Sequence, residues 1–121
     1  MHKNVETVTA IYDSSRTGDV LIDFWAPWCG PCQIMGGVIA NEIEPKMPDL
    51  KIIKANLAEP EIANFATNIG VKSIPTIVCM KDGKQIATFV GIVSYDDIAK
   101  VFSNASYAQT VRGSARSGGR A

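Results

Sequence analysis

The chain has 121 residues, 46% of them apolar, with twelve basic and twelve acidic side chains and three cysteines. That is enough apolar material for one domain whose core needs no crosslink, while the odd cysteine count argues against a secreted disulfide framework and the zero formal charge gives no general reason to bind nucleic acid or an anionic membrane. The first residues, Met1-His2-Lys3-Asn4-Val5-Glu6, hold no apolar core of signal-peptide type, and no apolar run is long enough to cross a bilayer, so a soluble cytoplasmic protein in a reducing compartment is expected.

Glu6 to Ser15 carries Val8, Ile11 and Tyr12 at helical spacing and predicts a short amphipathic helix ending near Thr17-Gly18-Asp19. Val20 to Trp25 is rich in β-formers and nearly continuously apolar, as a central strand buried on both faces would be. Cys29-Gly30-Pro31-Cys32 follows it directly. From Cys32 onward, Ile34, Met35, Val38, Ile39, Ile43 and Met47 predict a long helix closing near Pro48-Asp49, with Gly36-Gly37 weakening its middle through a bend or a straight, softer stretch.

Leu50 to Ala55 reads as a strand. Glu59 to Asn68, opening at Pro60, reads as a helix with Ile62, Phe65 and Ala66 on one side, stopped before Gly70. Thr76 to Met80 and Gln85 to Val90, joined at Asp82-Gly83, form the clearest hairpin signal in the chain. Ser94 to Phe102 predicts the last helix, with Ser94 as N-cap and Asp97 in the capping-box position. Such an order predicts an α/β sandwich around a mixed central sheet, the hairpin supplying its antiparallel part. Residues 1–103 form the expected domain. Residues 104–121 carry Arg112, Arg116 and Arg120 and no acid, which leaves nine bases against twelve acids in the rest; their Gly/Ser-rich composition predicts a disordered, solvated extension.

Cys29 and Cys32 place two thiols at a strand-to-helix junction, within bonding reach of each other once a helical turn begins at the first. One thiol can then attack an outside disulfide and the other can release it. Pro31 suits a first helical turn, and Gly30 lets a partner chain approach closely. Cys29, at the helix N-terminus, is the expected nucleophile because the exposed N–H groups and the helix dipole favour its thiolate; Cys32, turned inward, is the resolving thiol. A zinc site would need a second close-spaced ligand pair, which Cys79 inside a strand and His2 near the terminus do not make, so no metal is expected. Cys79 reads as a small core hydrophobe. Asp23 interrupts an apolar strand, where a buried carboxylate is costly unless it finds a partner, protonates, or turns outward to solvent. Taken alone, Lys54 reads as a surface lysine.

The run Asp23-Phe24-Trp25-Ala26-Pro27-Trp28-Cys29-Gly30-Pro31-Cys32, with Ile74-Pro75-Thr76 and Val90-Gly91, resembles the thioredoxin family from about residue 5 to residue 103. The resemblance implies the thioredoxin fold, a central mixed sheet flanked by helices on both faces; the opening strand is short or absent here, because only about four residues precede the first helix. It implies that Asp23 removes the proton of the resolving cysteine through water, with Lys54 beside it. Ile74-Pro75 is then a cis peptide facing the thiols, with the Ile74 backbone offered to an extended substrate. Trp28, Gly30, Pro31, Pro75, Val90, Gly91 and Ile92 border the substrate groove. Two departures stand out. Gln33 replaces a usual lysine or arginine, a small loss of positive charge, and Gly37 stands where the family has a kinking proline.

The implied activity is general protein disulfide reduction by dithiol–disulfide exchange, on a monomer that binds no cofactor itself. It serves disulfide-containing proteins and is recharged by thioredoxin reductase, an NADPH-dependent flavoprotein. A thiol oxidase or isomerase on the same fold is the nearest alternative, and the Gly-Pro dipeptide argues for the reductant. A redox-independent binding subunit is the other.

Overall fold

The structure, a computed structural model, describes residues 2–5 by their backbone and residues 8–103 in full. The expected helix start at Glu6 and the tail 104–121 lie outside the described residues.

Five strands form one sheet: β1 (His2–Val5), β2 (Asp19–Trp25), β3 (Lys51–Asn56), β4 (Thr76–Lys81) and β5 (Lys84–Val90). Their spatial order is β1-β3-β2-β4-β5, with β1, β3 and β2 mutually parallel and β4 and β5 antiparallel to their neighbours. The opening strand is therefore present but four residues long, paired with the edge of β3.

Strand β2 occupies the centre because its side chains are apolar on both faces. Leu21 points into a core layer with Met35, Ile39, Ile52, Ile77 and Ile98, covered by α2 (Gly30–Val38) and α5 (Tyr95–Ser103). Val20, Ile22 and Phe24 point the other way, toward α1 (Val8–Ser15) and α4 (Pro60–Asn68). The alternation of a strand thus fixes which face each residue serves. Ile11 is buried as expected in α1, whereas Tyr12 is exposed and meets the Phe65 ring edge-on at 5.6 Å.

The hairpin turns at Asp82 (φ 49°) and Gly83 (φ 85°), both in the left-handed region that a tight hairpin requires. Asp82 also pins the turn to the α1–β2 connection: its N–H donates to Gly18 O at 2.9 Å and its Oδ1 accepts the Gly18 N–H at 2.7 Å. Ser94 Oγ accepts the Asp97 N–H at 3.2 Å and caps α5.

The long second helix differs from the sequence expectation in where it is irregular. Gly36 and Gly37 lie within regular α-helix; the departure comes later, as a π-wound turn over Ile39–Ile43 leading into α3 (Glu44–Lys46). Pro45 is the physical cause. It has no N–H to donate to the carbonyl four residues earlier, and its ring crowds that carbonyl, so the ladder widens and the Glu44 N–H reaches back five residues to Ile39 O.

Candidate active site

Strand β2 ends at Trp25, and the chain passes through Ala26, Pro27 and Trp28 before entering α2. Cys29 is the N-cap of that helix, with extended backbone (φ −100°, ψ 111°), and Pro31 sits in its first turn where a missing N–H costs nothing. The two cysteines form a disulfide with their Cα atoms 5.2 Å apart. Cys29 Sγ accepts the backbone N–H of Cys32 at 3.1 Å, so this sulfur occupies the place where a helix end offers positive charge. Both residues are mostly covered, 8% exposed for Cys29 and 3% for Cys32, so Cys29 is less open than the expected exposed helix-end thiol.

The Ile74–Pro75 peptide is cis, and Ile74 O lies 3.8 Å from Cys29 Sγ. Gly91, at φ 93°, needs the freedom of glycine, and its N–H donates to Pro75 O at 2.8 Å. The structure therefore brings Cys29, Ile74, Pro75 and Gly91 together across three elements. Trp28 is 71% exposed, and Val90 and Ile92 are each 47% exposed. Gly30 and Pro31 are exposed as well, whereas Pro75 is buried.

Asp23 is fully buried on β2. It pairs in register with Lys54 on β3 and Ile77 on β4, and alternation places it on the same sheet face as Leu21, the face that α2 covers. Outward exposure is thus ruled out. Lys54 Nζ forms an ion pair with Asp23 Oδ2 at 2.9 Å and lies 5.3 Å from the centre of the Trp25 ring. Burial pushes the Asp23 carboxyl above its ordinary value of 3.8, and the nearby Lys54 charge only partly restrains it. Lys54 is accordingly no free surface lysine. Cys79 is buried in β4, where the lack of solvation raises its thiol pKa and keeps it protonated. Among the described residues no three His, Cys, Asp or Glu side chains come together as a metal site.

Sequence reasoning missed Leu57 and Ile34. Leu57 packs on the cysteine cluster with Trp25 and Ile74, and its N–H donates to Trp25 O at 2.8 Å. The signal was its position, one residue past the end of β3 where that strand runs beside Trp25. Ile34 is exposed on α2. The apolar pattern of the helix counts it with Met35 among the core-facing residues, and only Met35 is buried.

A mixed sheet of this order, with a disulfide across two intervening residues at a helix N-terminus facing a cis-proline loop, defines a thiol–disulfide oxidoreductase. The Thioredoxin family model matches residues 4–104. Thioredoxin 1 of Synechococcus elongatus is 40% identical over 80 residues, 66% of this chain and 73% of that protein. The thioredoxin of Chlamydia muridarum is 38% identical over 92 residues, covering 75% and 86%. Among solved structures, a thioredoxin variant from Halobacterium salinarum superposes with a TM-score of 0.70 at 32% identity, over 89% of this chain and 91% of that one. The chain belongs to the thioredoxin family, and its Cys29–Cys32 pair is that of a protein disulfide reductase working by dithiol–disulfide exchange. No helix among the described residues is long and apolar enough to cross a membrane.

Proposed function

We propose that Cys29 is the attacking thiol, Cys32 the resolving thiol and Asp23 the base of the second step. The observation that carries this reading is the N-cap geometry: the sulfur that accepts the Cys32 N–H in the disulfide is the one whose thiolate that same N–H and the helix dipole would stabilise after reduction. The Cys29 thiolate attacks one sulfur of a target disulfide. The target S–S bond breaks, its other sulfur leaves as a thiolate and takes a proton from solvent, and a mixed disulfide remains. Cys32 then gives its proton through water to the Asp23 carboxylate and attacks Cys29 Sγ. The mixed disulfide breaks, the second target sulfur leaves reduced, and two electrons have passed to the target. A buried carboxyl with a raised pKa suits this step, because it is a stronger base than a solvated one.

The target lies as an extended segment along the backbone of Ile74, over a shallow rim formed by Trp28, Gly30, Pro31, Val90, Gly91 and Ile92. Support comes from the exposure of Trp28, Val90 and Ile92 beside a largely covered disulfide, an arrangement that offers apolar contact without a closed pocket. The substrates are disulfide-bearing proteins. An NADPH-dependent flavoprotein reductase returns the spent disulfide to the dithiol, and the protein works as a cytoplasmic monomer.

Two single-cysteine variants test the assignment. Cys29→Ser abolishes turnover of a protein disulfide, whereas Cys32→Ser accumulates a covalent mixed disulfide with the target that mass spectrometry detects. A trapped adduct on Cys32 in the Cys29→Ser protein, with none on Cys29 in the other, would reverse the roles.

A further inference from the structure

Met35 is a buried group with lone pairs that the reaction above leaves unused. It follows Cys32 by one turn of α2, is fully buried, and its thioether Sδ accepts the backbone N–H of Val93 at 3.4 Å. Val93 is itself buried, in the connection between β5 and α5. Two residues earlier, Gly91 donates its N–H to Pro75 O at 2.8 Å. The segment after β5 is thus tied at one end to the proline loop and at the other to the redox helix. Between the ties stands Ile92, 47% exposed.

Packing alone does not call for sulfur here, since leucine or isoleucine fills a similar volume. Only methionine also gives the Val93 N–H an acceptor, and a buried N–H without one is unfavourable. The second tie therefore depends on one atom, and that atom sits on the helix that carries both cysteines.

We propose that Met35 is a positioning residue for polypeptide substrates, its thioether holding the Ile92 rim in register with Cys29 through the Val93 N–H. The proposal rests on the docking rim put forward above. A polypeptide spans both the rim and the thiol, and feels their relative placement. A small disulfide reaches the thiol without touching the rim.

The test compares Met35→Leu with the parent in dithiothreitol-driven reduction of insulin and of bis(hydroxyethyl) disulfide, alongside amide exchange at Val93. The expected result is a rise in KM for insulin of about fivefold with kcat within about twofold, a rate on the small disulfide within about twofold, and exchange at Val93 faster by roughly tenfold. Should the leucine variant fold poorly, replacement of the methionines by norleucine, which puts a methylene in place of sulfur, gives the same split. Faster Val93 exchange with an unchanged insulin KM overturns the proposal, and so does an equal loss on both disulfides, which would place the effect on the thiols. Ile92→Ser separates the two readings: if it leaves the insulin KM unchanged, the docking rim itself is wrong, whatever Met35 does.

Discussion

Replacing Asp23 by asparagine is predicted to stabilise the protein at neutral and alkaline pH and to do almost nothing in acid. The carboxylate is fully buried, and an ion taken from water into such a site loses several kcal/mol even after relaxation. Against this stands Lys54, 2.9 Å away, whose attraction at an effective dielectric of about 20 is about 6 kcal/mol. The two effects are of similar size, and the raised carboxyl pKa shows that desolvation wins. Asparagine keeps the shape and removes the charge. The Lys54 ammonium is left without its partner, but its side chain is 15% exposed and gains water, so the usual cost of an orphaned buried charge is avoided. A net gain of about 1–3 kcal/mol follows, or a Tm rise of roughly 5–15 °C for a domain of this size. The pH dependence has a definite sign. Because the folded carboxyl holds its proton to higher pH than the ordinary 3.8, the native state binds more protons in that window, and stability falls as pH rises from about 3.8 through the folded value. The variant lacks this titration. Thermal unfolding of both oxidised proteins at about pH 3 and about pH 8 reads the difference. A variant less stable than the parent at the higher pH, or equally stabilised at both, would refute the argument.

Gly37→Ala should raise stability by about 0.5–1 kcal/mol, because Gly37 lies in regular α-helix and an added Cβ would meet only Asn41 Nδ2 at 3.9 Å; urea unfolding checks it, and a loss would mean that the helix needs its glycine. Trp28→Ala should weaken protein-disulfide turnover mainly through KM, by roughly tenfold for the loss of a largely exposed aromatic contact, as steady-state kinetics on insulin would reveal. A change confined to kcat would move Trp28 from docking to chemistry.

Much of this architecture was legible because local signals and global order agree. The nearly continuous apolar, β-rich run Val20 to Trp25, the Asp82-Gly83 turn and the Ser94 cap each specify an element by local chemistry, and the structure has all three. The redox pair was equally plain, since two thiols at that spacing on a strand-to-helix junction suit few other tasks. The burial of Asp23 was not decidable from the strand alone, because alternation leaves either face open until the register with Lys54 and Ile77 is known. Of the two outcomes open at Gly36-Gly37, a bend or a straight, softer stretch, the structure has the straight one, and the irregular turn lies further on. Gly36-Gly37 draws the eye as a weak point, but weak propensity is tolerated where both sides pack, whereas the missing N–H of Pro45 has no such remedy. Leu57 and the Met35–Val93 contact arise from residues distant in sequence that meet only in the folded chain.

The redox equilibrium of Cys29 and Cys32 in graded dithiol buffers tests the central claim most directly, since about 30 mV corresponds to roughly 1.4 kcal/mol for this two-electron couple. A reductase of this family should settle near a strongly reducing potential of about −270 mV. A value some 100 mV more oxidising, or no disulfide at any poise, would contradict the account and move the protein toward oxidation, isomerisation or a redox-independent role.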